Sequence, residues 1–155
     1  MPRIPVHDLQ SAPAAARETL RTLVRGGRVS NIHGEMAHAP VTLAVYAAMR
    51  AAIMEHSTFD VRTREAIALT VAAVNKCEYC AGAHTAGALA LGWSLEQVAA
   101  FWSGNVDFDS RLAGLLSLAV EIATGGGFVD DSTWNACLDS GWSTEQLTDC
   151  SPTSP

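Results

Sequence analysis

A seven-residue phrase occurs twice in this chain, and it dictates two helix corners. Gly92-Trp93-Ser94-Leu95-Glu96-Gln97-Val98 is echoed by Gly141-Trp142-Ser143-Thr144-Glu145-Gln146-Leu147. In each copy the glycine is suited to end one helix and the serine to cap the next, with glutamine at the third helical position to complete a capping box. Tryptophan just before the cap and an aliphatic residue at the fourth position form the pair expected of a hydrophobic staple. Two copies are too few for a solenoid, but they predict a doubled helix–turn–helix unit.

The remaining pattern is helical as well. Residues 13–25 are rich in Ala, Leu, Arg and Glu and stop at Gly26-Gly27. A loop then leads to Pro40, which suits the first turn of a helix reaching about His56. Asp60 reads as the N-cap of a helix to about Val74, and Asn75 with Glu78 as the capping arrangement of a helix ending at Gly92. Residues 110–123 form an apolar helix that breaks at Gly125-Gly126-Gly127. A short helix from Asp131 or Ser132 towards Ser140 and a last one from Ser143 complete the series. No segment alternates as a strand does between matching turn signals. The expectation is an all-α fold in a single domain over residues 1–150, with residues 151–155 a disordered tail.

Composition narrows the functional classes. At 155 residues the chain is large enough to bury about 70% of the surface it exposes when unfolded. It is 48% apolar and only 17% charged, a balance that calls for helices apolar on more than one face, in a large core or between subunits. The net charge of −6 and scattered basic residues leave no footprint for nucleic acid or for an anionic membrane. No run approaches the roughly 20 apolar residues of a membrane span, and the first residues lack the apolar core of a signal peptide. A cytoplasmic setting is expected. In a reducing compartment a close cysteine pair is more often catalytic or metal-binding than a structural staple.

Such a pair exists at Cys77-Glu78-Tyr79-Cys80, followed by His84. Residues on an α-helix advance by about 100°, so Cys77, Cys80 and His84 share one face. A helix beginning near Asn75 places Cys77 in its first turn, where unpaired N–H groups favour thiolate over thiol. His84 lies at i+4 from Cys80, and positions i and i+3 are roughly 5 Å apart, within the span of a disulfide. Glu65 lies on the preceding helix, which carries no charge from Ala66 to Val74. Its most economical partner is His84, whose basicity it would raise and whose tautomer it would fix. The same four side chains also supply a conceivable zinc set, although structural zinc usually gathers two separated pairs.

The spacing Glu65-x11-Cys77-x2-Cys80-x3-His84 closely resembles the AhpD-like alkyl hydroperoxidase branch of the carboxymuconolactone decarboxylase family. Met36-Ala37-His38-Ala39-Pro40 and the stretch from Asp60 to Glu65 are similar to its peroxidase-related members, so the resemblance covers roughly residues 36–122. It implies an AhpD-like helical bundle whose site is a dithiol with a proton relay. Cys80 would be the peroxidatic cysteine, Cys77 the proton donor and resolving thiol, and His84 with Glu65 the relay that deprotonates Cys80. It further implies hydroperoxide as substrate, a lipoyl-type dithiol or a peroxiredoxin as redox partner, no cofactor, and a homo-oligomer, whether trimer, hexamer or dimer. Tyr79 stands where AhpD itself has histidine. Members of this branch also continue the last helix beyond the point where Cys150-Ser-Pro-Thr-Ser-Pro begins, which suggests a truncated or altered end.

Alternative readings are a γ-carboxymuconolactone decarboxylase, which needs acid–base groups rather than a dithiol, and a non-enzymatic helical module whose cysteines hold zinc or sense oxidants. Of the other polar and thiol groups, His33, His38 and His56 read as surface or capping residues and Tyr79 as a wall of the thiol pocket. Cys137 reads as core and Cys150 as an exposed thiol near a frayed end.

Overall fold

The computed structural model describes residues 3–153, and among these every regular element is an α-helix. In chain order they are α1 (Ala14–Thr22), α2 (Asn31–Met36), α3 (Pro40–His56), α4 (Val61–Val74), α5 (Glu78–Ala90), α6 (Leu95–Ser103), α7 (Ser110–Thr124), α8 (Asp131–Asp139) and α9 (Thr144–Thr153). The all-α expectation holds. The chain divides into two compact units, Met1–His56 and Ser57–Pro155.

The first unit is built from α1, α2 and α3. Its small core joins Ala12, Ala16, Leu20 and Leu23 to Ala37 and Leu43. Gly26 and Gly27, at φ 54° and 75°, turn the chain after α1 in a conformation that β-carbons disfavour. The segment from there to Pro40 was expected to be loop, but it contains α2. His33 sits in that helix at 7% exposure, with Nδ1 2.8 Å from Ser30 Oγ, so it is an interior residue rather than a surface one. Along α3 only Leu43 is fully buried, whereas Val41, Val45 and Met49, four residues apart, stand exposed. Part of the apolar excess of the sequence is therefore on the surface of this helix.

The second unit is organised around α4. Seven consecutive residues, Ala66 to Ala72, are buried, because α5, α6, α7 and α9 all pack against this helix. The core comprises Ile67, Leu69 and Val71 with Ala88, Phe101, Leu115, Leu118 and Leu147. Burying a side chain such as Ile67 or Leu115 contributes about 1.5–3 kcal/mol relative to leaving it in water.

Both predicted corners are present, and each is larger than its sequence phrase. Ser94 and Gln97 form a reciprocal capping box, and Ser143 with Gln146 repeats it. Trp93 Nε1 donates to the Arg62 carbonyl at 3.0 Å, and the Arg62 guanidinium lies over the indole at 3.8 Å. Trp142 Nε1 donates to the Arg111 carbonyl at 2.9 Å, under a guanidinium at 4.0 Å. Asp60 and Asp109 cap the helices that carry these arginines, accepting from Thr63 N and Leu112 N. Every residue of the second set lies 49 positions after its counterpart, as Arg111 does after Arg62 and Trp142 after Trp93. The doubling thus extends over α4–α6 and α7–α9. Each tryptophan ties its corner back to the start of the unit's first helix, a long-range role beyond the local staple.

Two expectations about the C-terminal end change. α9 continues through Ser151 to Thr153, where a disordered tail was expected to begin; Ser154 and Pro155 lie outside the described residues. Cys150 is fully buried on α9, not an exposed thiol, because this helix packs against α4 and α7. Asp149 anchors the same helix, accepting from Ser57 Oγ, Thr58 N and Thr58 Oγ1 at 2.7–2.9 Å.

Candidate active site

The dithiol lies where α4 hands over to α5, and the handover differs from the expected one. Asn75 closes α4 as its C-cap instead of opening α5. Lys76 N–H donates to the Ala73 carbonyl at 3.1 Å and Cys77 N–H to the Ala72 carbonyl at 2.9 Å, the paired bonds of a Schellman ending. That ending requires a left-handed residue, and Lys76 supplies it at φ 52°, the one non-glycine with positive φ among the described residues. Cys77 then serves as the N-cap of α5, its sulfur accepting from Cys80 N–H at 3.3 Å. A cysteine thus does the work that serine or aspartate does at the other capped helices.

Cys77 and Cys80 are joined as a disulfide, with Cα atoms 5.3 Å apart, and both are half-buried. The pair is within disulfide reach, as i and i+3 spacing implies, although Cys77 is the cap itself rather than a first-turn residue. The N–H that points at its sulfur is one that the helix leaves unpaired, and it favours a sulfur carrying negative charge.

One helical turn beyond Cys80, His84 Nδ1 lies 2.9 Å from Glu65 Oε2 on the neighbouring helix. The two side chains are 31% and 22% exposed, so the pair is shielded from water without being sealed. A carboxylate only accepts, so Nδ1 carries the proton in this bond and Nε2 is left as the nitrogen able to take one. The contact between Glu65 and His84 is the one that the sequence spacing anticipated.

Two features of this site are missed by reasoning from sequence. Lys76, in its left-handed conformation, is one. The other is Gly87 on α5, three residues after His84: a β-carbon there would stand 2.8 Å from Glu65 Oε2 and 3.0 Å from its Cδ. Its only signal in the sequence is a glycine inside a helix with no turn to explain it.

The remaining candidates lie elsewhere or play other parts. Tyr79 is half-exposed, less enclosed than the wall of a thiol pocket would be. Cys137 is buried, its sulfur donating to the Gly114 carbonyl at 3.4 Å, and burial followed by the charge of Glu121 pushes its thiol up from the ordinary value. His38 Nε2 donates to the Pro5 carbonyl at 2.8 Å, and His56 ends α3 at the surface. Among the described residues no group of three or more His, Cys, Asp or Glu side chains is placed to hold one metal ion.

Comparison with known proteins agrees with this architecture. Residues 40–107 match the carboxymuconolactone decarboxylase family. A 45-residue segment is 47% identical to an uncharacterized protein of Haemophilus influenzae, spanning 29% of this chain and 40% of that protein, so the likeness covers less than half of the relative. The crystal structure of an uncharacterized peroxidase-related protein from Silicibacter sp. TM1040 matches with a TM-score of 0.80 at 20% identity, over 98% of this chain and 81% of that one. That of an alkylhydroperoxidase AhpD core, an uncharacterized peroxidase-related protein from Ralstonia eutropha JMP134, matches with a TM-score of 0.83 at 22% identity, over 98% and 82%. Residues 40–107 thus resemble the carboxymuconolactone decarboxylase family, and the fold of the chain is AhpD-like.

Proposed function

We propose that this protein is a thiol-dependent oxidoreductase that reduces hydroperoxides through Cys77 and Cys80. The observation that carries the reading is the Glu65–His84 hydrogen bond one helical turn from a cysteine pair that is itself within disulfide reach. A nucleophile, a base and a group that orients the base are the elements of an activated thiol.

In the reduced protein His84 Nε2 takes the proton of Cys80, and Glu65 stabilises the imidazolium that results. The Cys80 thiolate attacks the terminal oxygen of the hydroperoxide, the O–O bond breaks, and the alkoxide leaves with a proton from Cys77 or water. Cys80 becomes a sulfenic acid. Cys77 attacks its sulfur, water departs, and the disulfide forms. A dithiol reductant of the lipoyl type restores the pair by thiol–disulfide exchange, with a peroxiredoxin as the candidate protein partner. The N-cap position of Cys77 supports this last step, because a sulfur that accepts the Cys80 N–H is stabilised as a leaving thiolate.

The exposed row Val41, Val45 and Met49 on α3 supports the further reading that the protein works as a homo-oligomer. A monomeric mass in solution at micromolar protein would overturn that part. No helix among the described residues is long and apolar enough to cross a membrane. A reducing compartment such as the cytoplasm is the setting in which a regenerating dithiol is useful.

The reaction is tested by titrating free thiols in reduced, metal-stripped protein before and after one equivalent of cumene hydroperoxide. The proposal expects rapid loss of two thiols in the parent, with none lost to a disulfide in Cys80→Ser. Unchanged thiols in the parent would rule it out.

A further inference from the structure

We infer that Gly87 is a positioning residue for the Glu65–His84 pair: its missing side chain is the space that the Glu65 carboxylate occupies. The inference rests on the reading of that pair as a proton relay and assigns a role to a residue that touches neither sulfur nor substrate.

α5 has two interior glycines, and they are not equivalent. Around Gly82 an added β-carbon would meet nothing within 4 Å. At Gly87 its three nearest neighbours would be Glu65 Oε2 at 2.8 Å, Glu65 Cδ at 3.0 Å and Glu65 Oε1 at 3.3 Å, the whole carboxylate. Gly87 lies at i+3 from His84, so it shares the face of α5 that presents the imidazole. Oε2, the oxygen closest to the absent β-carbon, is the one bonded to His84 Nδ1. Glycine weakens a helix interior, and no positive φ at this position calls for one. Close approach of the carboxylate to the α5 backbone is the physical use it serves.

Introducing a methyl group at this site forces the carboxylate to withdraw. Even a tight contact of 3.4 Å requires Oε2 to retreat by about 0.6 Å, a movement that can carry a 2.9 Å hydrogen bond beyond useful length. The clash falls on the tip of a flexible side chain, so the helix itself is unharmed. The cost appears in the orientation of His84, which loses the acceptor that holds the proton on Nδ1.

The test measures the tautomer of His84 by imidazole nitrogen NMR of the full chain, alongside hydroperoxide consumption across pH. Gly87→Ala is expected to shift His84 from mainly Nδ1–H towards the mixture found in Glu65→Gln. Its kcat/KM should fall by about tenfold or more, a part of what a general base contributes, with a pH–rate profile that follows Glu65→Gln. Gly82→Ala should match the parent in both readouts. Adding Glu65→Asp to Gly87→Ala shortens the acid by one methylene and should recover part of the tautomer preference. Thermal melts verify folding, since both alanine variants gain helix propensity.

A parent-like tautomer in Gly87→Ala, or an equal loss in Gly82→Ala, would overturn the inference. Should Glu65→Gln reduce hydroperoxide at the parent rate while Gly87→Ala still shifts the tautomer, the relay reading fails and the positioning role stands.

Discussion

Replacing Lys76 by glycine should make this protein more stable, although it removes a side chain beside the cysteine pair. At φ 52° Lys76 holds a conformation in which the β-carbon crowds the backbone, at a cost of about 1–2 kcal/mol. Glycine adopts it freely but returns about 0.4–1 kcal/mol through the greater freedom of the unfolded chain. At mid-range the net gain is about 0.8 kcal/mol, or about 2–3 °C in melting temperature for a chain of this size. The corresponding corner at the end of α7 supports the sign. There Gly127 N–H makes the same backward bond to the Ile122 carbonyl at 2.9 Å, and the left-handed residue is Gly126 at φ 63°. Thermal melts of parent, Lys76→Gly and Lys76→Ala, monitored by far-ultraviolet circular dichroism with the disulfide intact, are the assay. Alanine keeps the β-carbon and loses the charge, so Lys76→Ala should gain nothing. Equal shifts in the two variants, or a lower melting temperature for Lys76→Gly, would refute the conformational argument.

Other expectations concern separate parts of the chain. With the Cys77–Cys80 disulfide reduced, a thiol reagent at neutral pH should titrate two cysteines in the native protein and four in denaturant, because Cys137 and Cys150 are buried and burial keeps the Cys137 thiol protonated. Four fast thiols in the native state would contradict this. His33 is held below its ordinary value of 6.5 by burial, with Arg50 and Arg25 adding to the effect. The folded state therefore takes up this proton less readily than the unfolded state, and stability should fall as pH drops below about 6.5. His33→Gln should flatten that part of the pH dependence, and an unaltered slope would exclude the residue as its source. Asp149→Ala should lower stability by about 2 kcal/mol in urea titrations, since Ser57 and Thr58 lose a shared charged acceptor. A change under about 0.5 kcal/mol would mean that water replaces it.

What the sequence revealed follows from how local each signal is. The glycine, tryptophan and serine of each corner act within seven residues, so they could be read directly. The Glu65–His84 contact was legible for a different reason: two antiparallel helices joined by a tight turn leave few partners for a carboxylate entering an uncharged helix. The turn itself was misread, since Asn75 is a good helix cap by residue type and lysine is a poor choice for a left-handed position. Only the backbone bonds from Lys76 and Cys77 back into α4 decide which residue opens α5. Burial of His33 and Cys150 depends on helices distant in sequence and leaves no local mark. Gly87 was hidden for the same reason, its neighbour being 22 positions away.

The doubled architecture also gives the experimenter a matched pair inside one molecule. At the offset that relates Arg62 to Arg111, Glu65 corresponds to Gly114, Cys80 to Val129 and His84 to Thr133, and the turn after α7 puts Gly127 where Cys77 stands. One half has kept the scaffold while carrying none of the reactive groups. Exchanging the same stacked guanidinium in either half, as Arg62→Lys or Arg111→Lys, therefore perturbs near-identical mechanics with and without chemistry attached. Whatever the first exchange does to hydroperoxide turnover beyond the second is the share of architecture that the proposed chemistry draws upon, separated from stability without a second protein as reference.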